Sequence, residues 1–206
     1  MRTYSGSDGI PLKKILRMRK EVPLEWWQTI WQEFYLDVFK IKVDLSQVPV
    51  SERKPGFKWP VYVIPGLSQN QIYASCCEEF LCESIYGSDL DFEVPYEHRD
   101  PIKIGAYAKW FRGRVEPDSE LKNKSANDLE VEGIAGNTFR EALLLERFYF
   151  WCTGGHLNRG KDNLCAGSRA RYGFVPFVRW CRDGFFWVGL CGPNKFNKNL
   201  RSRATV

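Results

Sequence analysis

Within residues 168–199, Arg171, Tyr172, Phe174, Phe177, Arg179, Arg182, Asp183, Phe185, Phe186, Asn194, Phe196 and Asn197 sit between small and apolar residues spaced as in strands. Aromatic rings and arginine at this density are the chemistry of a binding surface. Rings supply contact area with few rotors to immobilise, and guanidinium groups supply directional hydrogen bonds. The intervening Val175, Val178, Trp180, Trp187, Val188 and Leu200 have the complementary character, and Gly173, Gly184 and Gly192-Pro193 punctuate the run with turns. Because successive strand residues point to opposite faces, the first set is expected to face a ligand. Val175, Val178, Trp180 and Trp187 are expected to bury and hold the backbone.

Catalytic and metal chemistry finds less support in the same residues. Two histidines, His98 and His156, are available, and neither lies in a recognisable nucleophile motif. Cys152 and His156 form a lone pair that would need two further ligands to hold zinc, and no CxxC occurs. Gly192-Pro193-Asn194 lacks the acidic or amide oxygen that a calcium-dependent sugar site requires before the proline. No catalytic residue, metal or cofactor is therefore expected.

Charge points to the same part of the chain. Residues 147–206 hold 11 Lys and Arg against two Asp, a balance of +9 in a chain of net +5, leaving −4 on the first 146 residues. A basic aromatic surface suits an acidic protein, a charged glycan or nucleic acid. Arg169, Arg171, Arg179, Arg182, Arg201 and Arg203 interleave with Phe and Tyr as phosphate and stacking contacts would. A basic nucleic-acid-binding protein is the alternative reading. The seven cysteines are odd in number and irregularly spaced, which predicts reduced, mostly structural thiols. The segment 1–20 reads as a flexible basic lead-in without a secretion signal, and no apolar run approaches the roughly 20 residues of a membrane helix.

Periodicity supplies the positioning elements. After Pro23, Trp27, Ile30, Trp31, Phe34 and Val38 recur at helical spacing, predicting an amphipathic helix that packs its aromatic stripe on the main domain or docks to a partner. FKWPVYVI from Phe57 reads as a strand, and Ser68 with Gln71 as the capping box of a helix through about Glu83. Cys76 and Cys77 fall in that helix as packing residues. Residues 105–115 read as a strand and the charged stretch after Pro117 as one or two short helices. Thr138 with Glu141 caps a helix whose Ala142, Leu145, Phe148, Tyr149 and Cys152 share a face, and Gly154-Gly155 ends it.

Phe150-Trp151-Cys152-Thr153-Gly154, Ala166-Gly167-Ser168-Arg169 and the closing LRSRATV resemble the C-type lectin-like fold in its formylglycine-generating-enzyme branch. The resemblance covers residues 100–206, with Ala166 in place of a glycine and Arg169 in place of a tryptophan. It implies an oxidase chemistry of paired cysteines, for which Cys181 and Cys191 lie in the right region without the surrounding active-site pattern. More narrowly, the chain resembles the variable proteins of diversity-generating retroelements and uncharacterised candidate-phylum proteins with the same Cys-Ala-Gly-Ser-Arg, Val-Pro-x-Val-x-Trp and Leu-Arg-Ser-Arg framework. Adenine-directed mutagenesis in such systems yields Phe, Tyr, Arg, Asp, Asn and other residues, but not Glu, Gln, Met, Lys or Trp. No Glu, Gln or Met occurs between Ser168 and Asn199, whereas Lys195 and Lys198 lie outside that repertoire.

The expectation is an α+β, C-type lectin-like fold with two main helices and a C-terminal antiparallel sheet over 49–206, preceded by a helical extension over 1–48. The resemblance implies a non-enzymatic, receptor-type protein that binds a protein or other macromolecular ligand on a diversified face within 168–199.

Overall fold

The structure is a computed structural model that describes residues 22–87 and 89–206; the expected lead-in at 1–20 lies outside the described residues. The chain folds as a mixed α+β protein around one continuous hydrophobic core to which helices and sheets both contribute. Among the described residues the two long helices are α1 (Leu24–Phe39) and α6 (Phe139–Thr153). In α1 the buried residues are Trp27, Ile30, Trp31, Phe34 and Tyr35; Val38 is half-buried, so Tyr35 takes the place expected for it. The helix ends at Lys40, which adopts the left-handed conformation. Helix α6 carries the full Thr138/Glu141 capping box and stops at Gly154 at φ 64°. Nearly every side chain from Phe139 to Phe148 is buried, so α6 is the central helix and not a two-faced surface one.

The strand of residues 57–63 forms as β1 (Phe57–Val63) and pairs antiparallel with β4 (Tyr107–Arg112). Helix α2 (Gln69–Cys77) has the expected capping box but ends well before Glu83. The chain instead turns at Glu78–Leu81 and enters the short strand β2 (Cys82–Ser84). Between them Cys76 is buried and Cys77 exposed, so only the first is a packing residue. Short α3 (Leu90–Glu93), β3 (Tyr96–Glu97) and α4 (Pro101–Ile104) lead to β4. A 3-10 turn at Ser119–Leu121 and helix α5 (Ala126–Val131) occupy the charged stretch.

The C-terminal third forms β5 (Asp162–Leu164), β6 (Ser168–Arg169), β7 (Val175–Trp180), β8 (Phe186–Cys191) and β9 (Leu200–Ser202). The main sheet has the order β2-β8-β7-β5-β9 and is mixed, correcting the antiparallel expectation. The hairpin β7–β8 and the pair β5–β7 are antiparallel, but β2 joins β8 and β9 joins β5 in parallel. Both parallel partners arrive by long connections, so neither could be read from local sequence.

Buried ion pairs fix the N-terminal end of α6. Glu141, fully buried, accepts both Arg99 Nε and Nη2 at 2.8 Å and the Thr138 N–H at 2.8 Å. Glu97 accepts the Arg140 N–H at 2.9 Å and its Nε at 3.0 Å. Burial works to raise the Glu141 carboxyl, but the Arg99 guanidinium and the capping N–H outweigh it and hold it below its ordinary value. A carboxylate lowered in this way stabilises the fold above its unfolded pKa and stops doing so as pH falls through the folded one. Glu141→Gln should therefore cost about 2 kcal/mol near neutral pH, less than outright removal of a buried partner because the amide oxygen still accepts from Arg99. The gap between wild type and variant in urea melts should close toward acid pH; a gap independent of pH would show that the charge contributes nothing.

Candidate ligand-binding face

The β7–β8 hairpin sets the geometry of the face. Cys181 N–H donates to Phe185 O at 2.8 Å, and Arg182-Asp183-Gly184 bridges the strands with Gly184 at φ 89°. A three-residue loop closing on a left-handed residue demands glycine there. Cross-strand partners share a face, so Val178 opposite Val188 and Trp180 opposite Phe186 point one way. Phe177 opposite Gly189 and Arg179 opposite Trp187 point the other. Val175, Val178 and Val188 are fully buried, as expected.

Two residues exchange roles relative to the sequence reading. Phe186 is 0% exposed and belongs to the core, whereas Trp187 lies half-buried beside Arg179 on the other face. A one-residue difference in register flips a side chain across the sheet, and Phe185-Phe186-Trp187 offers three large rings with no polar residue to mark the phase. Trp180 keeps its scaffold role: its ring stacks on His156 with centroids 3.3 Å apart and planes 8° from parallel. His156 Nδ1 in turn lies 2.9 Å from the buried Glu146 carboxylate, and Phe150 covers its ring at 5.0 Å.

One row across four strands runs Glu83, Trp187, Arg179, Asp162, alternating carboxylate, indole, guanidinium and carboxylate. Arg179 and Asp162 approach to 3.6 Å. Burial raises the Asp162 carboxyl above its ordinary value, with Arg179 and Lys161 pulling the other way. Phe185 meets Trp187 edge to face at 6.3 Å. The Phe177 ring lies across Gly189: a Cβ there would overlap Phe177 Cζ and stand 2.6 Å from Trp187 Nε1. Gly189 is thus what lets both rings lie against the sheet. Gly189→Ala should lift them, costing about 1–3 kcal/mol by overpacking and changing the near-ultraviolet circular dichroism. An unchanged spectrum would mean that the rings do not rest on the strand.

Beside the hairpin tip opens a cleft of about 400 Å³ whose walls include Arg159, Lys161, Arg179, Arg182, Asp162 and Asp183, with Trp180 and Phe185 as aromatic surface. Four cations face two carboxylates, so the cleft favours an acidic group. Among the described residues Arg159 and Arg182 have no carboxylate partner. Arg171, Tyr172 and Phe174 form a separate cluster on the loop before β7. Tyr172 is 90% exposed at φ 62°, and the Arg171 guanidinium sits 4.0 Å above the Phe92 ring of α3 and 5.8 Å from the Tyr172 ring. A bulky residue held left-handed and in water is strained without any burial to compensate. Phe92 escaped sequence reasoning because it lies eighty residues earlier in a four-residue helix with no periodicity to mark it.

No family model matches the chain, and no curated protein or solved structure matches it.

The remaining expected site residues divide by what their side chains touch. Phe196 is 60% exposed. Asn194 Oδ1 accepts from Asn127 Nδ2 at 2.6 Å, tying its turn to α5. Asn197 is exposed, but its Oδ1 accepts the N–H groups of Asn199 and Leu200 at 2.7 and 2.9 Å and starts β9, so its amide is engaged in the turn. Arg203 leaves the set of phosphate-contact candidates altogether, being 1% exposed and hydrogen-bonded inside the protein. Arg169 is held by Glu130 and by the carbonyls of Ala166 and Ser168. Cys181 follows β7 at the tip of the hairpin and Cys191 ends β8 opposite Val175. Six residues of strand, about 20 Å, separate those ends, so the two thiols do not share a centre for paired-cysteine chemistry. Among the described residues no group of three or more His, Cys, Asp or Glu side chains is disposed to hold a metal ion, and no helix is long and apolar enough to cross a membrane.

Proposed function

We propose that this protein is a non-enzymatic ligand-binding protein of C-type lectin-like fold whose C-terminal face is rewritten by a diversity-generating retroelement. The observation that carries the reading is the division of labour along β7, β8 and their flanking loops. Val175, Val178, Phe186 and Val188 are buried, while Tyr172, Phe174, Arg179, Arg182 and Phe196 are exposed on the same short segment. Substitution at exposed positions away from caps and pairs changes stability by about 0.5 kcal/mol or less, so this face can vary while the scaffold stands. Trp187 falls on the face yet outside the residues that mutated Asn codons reach, which makes it a fixed aromatic among variable neighbours. The basic cleft supports a ligand with acidic groups, and the Arg171–Tyr172–Phe92 cluster supports a second contact point of aromatic character.

The deciding experiment is to sequence the locus, looking beside the gene for a reverse transcriptase and a near-copy of the terminal coding segment that differs mainly at adenines. Finding both identifies the variable positions codon by codon. If neither is present and fluorescence anisotropy shows affinity for a single-stranded oligonucleotide that falls steeply with salt and depends on Arg179 and Arg182, the nucleic-acid reading replaces this one. The separation of face from scaffold has its own test. A protein with Tyr172, Phe174, Arg182 and Phe196 all changed to Ser should melt within a few degrees of wild type, and a drop comparable to that of Phe186→Ser would place the face in the core.

A further inference from the structure

A cavity of about 780 Å³ opens where three helices end, and none of its walls comes from residues 168–199. Helix α1 reaches it with Asp37, Val38 and Lys40, α6 with its last turn, and α2 with its C-cap Glu78 and the following Glu79. Each helix turns the negative end of its dipole toward the cavity, and none has a basic residue in its last turn. The side chains add to that charge. Asp37, Glu78 and Glu79 stand against two cations, Lys40 and Arg147, which are both committed within the protein. Lys40 Nζ donates to Asp37 O at 2.6 Å, and Arg147 donates to Glu79 Oε1 at 3.0 Å and to Ser75 O at 3.1 Å. Glu78 is exposed and has no cationic partner among the described residues. Phe150 and Trp151 complete the walls as aromatic surface, so the cavity favours a cation carried on an apolar stem.

We propose that this cavity is a docking site for the chain's own basic lead-in, with residues 13–20 running back along the solvent side of α1 and Lys13 and Lys14 entering the cavity. Charge complementarity selects that occupant. Residues 13–20 read KKILRMRK, five cations and no acid, whereas α1 carries Glu25, Glu33 and Asp37 and no Lys or Arg. Glu25 and Glu33 are exposed and share a stripe of α1 with Leu36, which is 53% exposed and offers Ile15, Leu16 and Met18 an apolar contact. Chain length then decides which cations reach the cavity. The described chain begins at Val22, at the opposite end of α1 from the cavity. The 16 residues of α1 span about 24 Å, and a fully extended chain covers at most about 3.5 Å per residue, so about seven residues are needed to run back that far. Arg17, Arg19 and Lys20 stand too close to Val22 and pair along the helix with Glu25 and Glu33. Lys13 and Lys14 are the cations with enough chain behind them. Docked in this way, the lead-in covers the side of α1 that a partner would otherwise meet.

The test treats the full chain with a water-soluble carbodiimide, which joins a lysine amine to a carboxylate only where the two touch, and maps the linked peptides by mass spectrometry. Lys13 or Lys14 should link to Asp37, Glu78 or Glu79 within single chains, and the yield should fall as salt screens the contact. Lys13→Ser combined with Lys14→Ser should abolish those links and raise the labelling of Glu78 by carbodiimide with glycine ethyl ester, whereas Arg19→Ser combined with Lys20→Ser should leave the links in place. Matching circular dichroism melts establish that both variants are folded. Links that join an isotope-labelled copy to an unlabelled one would make a second chain the occupant and overturn the proposal. So would links from Lys20 to the cavity carboxylates, lysine links that avoid the cavity, Glu78 labelling that ignores the loss of Lys13 and Lys14, or the same links formed to the same extent in urea.

Discussion

Arg203→Ala is expected to destabilise the protein by about 3–5 kcal/mol, a large part of the roughly 5–15 kcal/mol that holds a typical domain folded. The Arg203 guanidinium is buried and donates to Arg114 O at 2.8 Å, Val115 O at 2.7 Å and Asn158 Oδ1 at 2.8 Å. Removing it leaves Arg114 O and Asn158 Oδ1 without a donor and takes one of two donors from Val115 O, which keeps the Asn158 N–H at 3.1 Å, and that loss at buried acceptors is what makes the change severe. Burial pushes the Arg203 pKa down to about 10, which still leaves the group charged at neutral pH. Arg203→Lys should recover little, because an ammonium is a point donor and cannot span three acceptors laid out for a planar fork. Around it, Asn137 N–H donates to Arg203 O at 2.9 Å and Asp118 Oδ2 accepts the Ala204 N–H at 2.9 Å while pairing with Arg112 at 2.6 Å. The end of the chain is thus clamped to the loop after β4 and to the residue before the α6 cap. Urea denaturation of the two variants decides the point, and a loss below about 1 kcal/mol would mean that other donors reach those carbonyls.

Arg203 also shows where the sequence stops being informative. In LRSRATV its neighbours are small and polar, so nothing local distinguishes an arginine that satisfies buried carbonyls from one that meets a phosphate; its partners come from residues 114, 115 and 158. The elements that were legible rest on short-range physics. Helix α6 announces itself through Thr138 and Glu141, whose reciprocal bonds close within four residues, and α1 through an aromatic repeat that survives without reference to its partner. The hairpin was legible as two strands around Asp183-Gly184, but its phase was not, because the shift at the loop decides which of Phe185, Phe186 and Trp187 turns inward. Strand β2 was invisible for a different reason. Cys-Glu-Ser is three residues long without alternation, and it becomes a strand only because β8 offers an open edge a hundred residues later. The same long-range pairing brings Glu83 to the candidate face, and the Arg171 contact brings Phe92 there. A site drawn from residues 168–199 alone therefore misses its rim.

Trp31→Ala should cost about 3–5 kcal/mol and expose an edge strand. Trp31 is 0% exposed, and its ring stacks on Phe148 of α6 with centroids 4.1 Å apart and planes 5° from parallel. Its indole N–H donates to Pro60 O at 2.8 Å, and four residues on the Tyr35 hydroxyl donates to Tyr62 O at 2.6 Å. The two spacings match for a geometric reason: four helical residues advance about 6 Å, and two strand residues advance nearly the same. Side chains of α1 at i and i+4 therefore supply donors to alternate carbonyls on the side of β1 that faces away from β4. An uncovered row of such carbonyls is a template for pairing with another chain. Trp31→Phe separates the two contributions, since a smaller ring retains part of the stack while Pro60 O loses its donor, for about 1–3 kcal/mol. Urea melts of the pair, with light scattering of the refolded samples, give the answer. A near-neutral Trp31→Ala would make α1 a detachable extension free to dock elsewhere, whereas a loss near the full value fixes it as the layer that closes the β1 edge and completes the core.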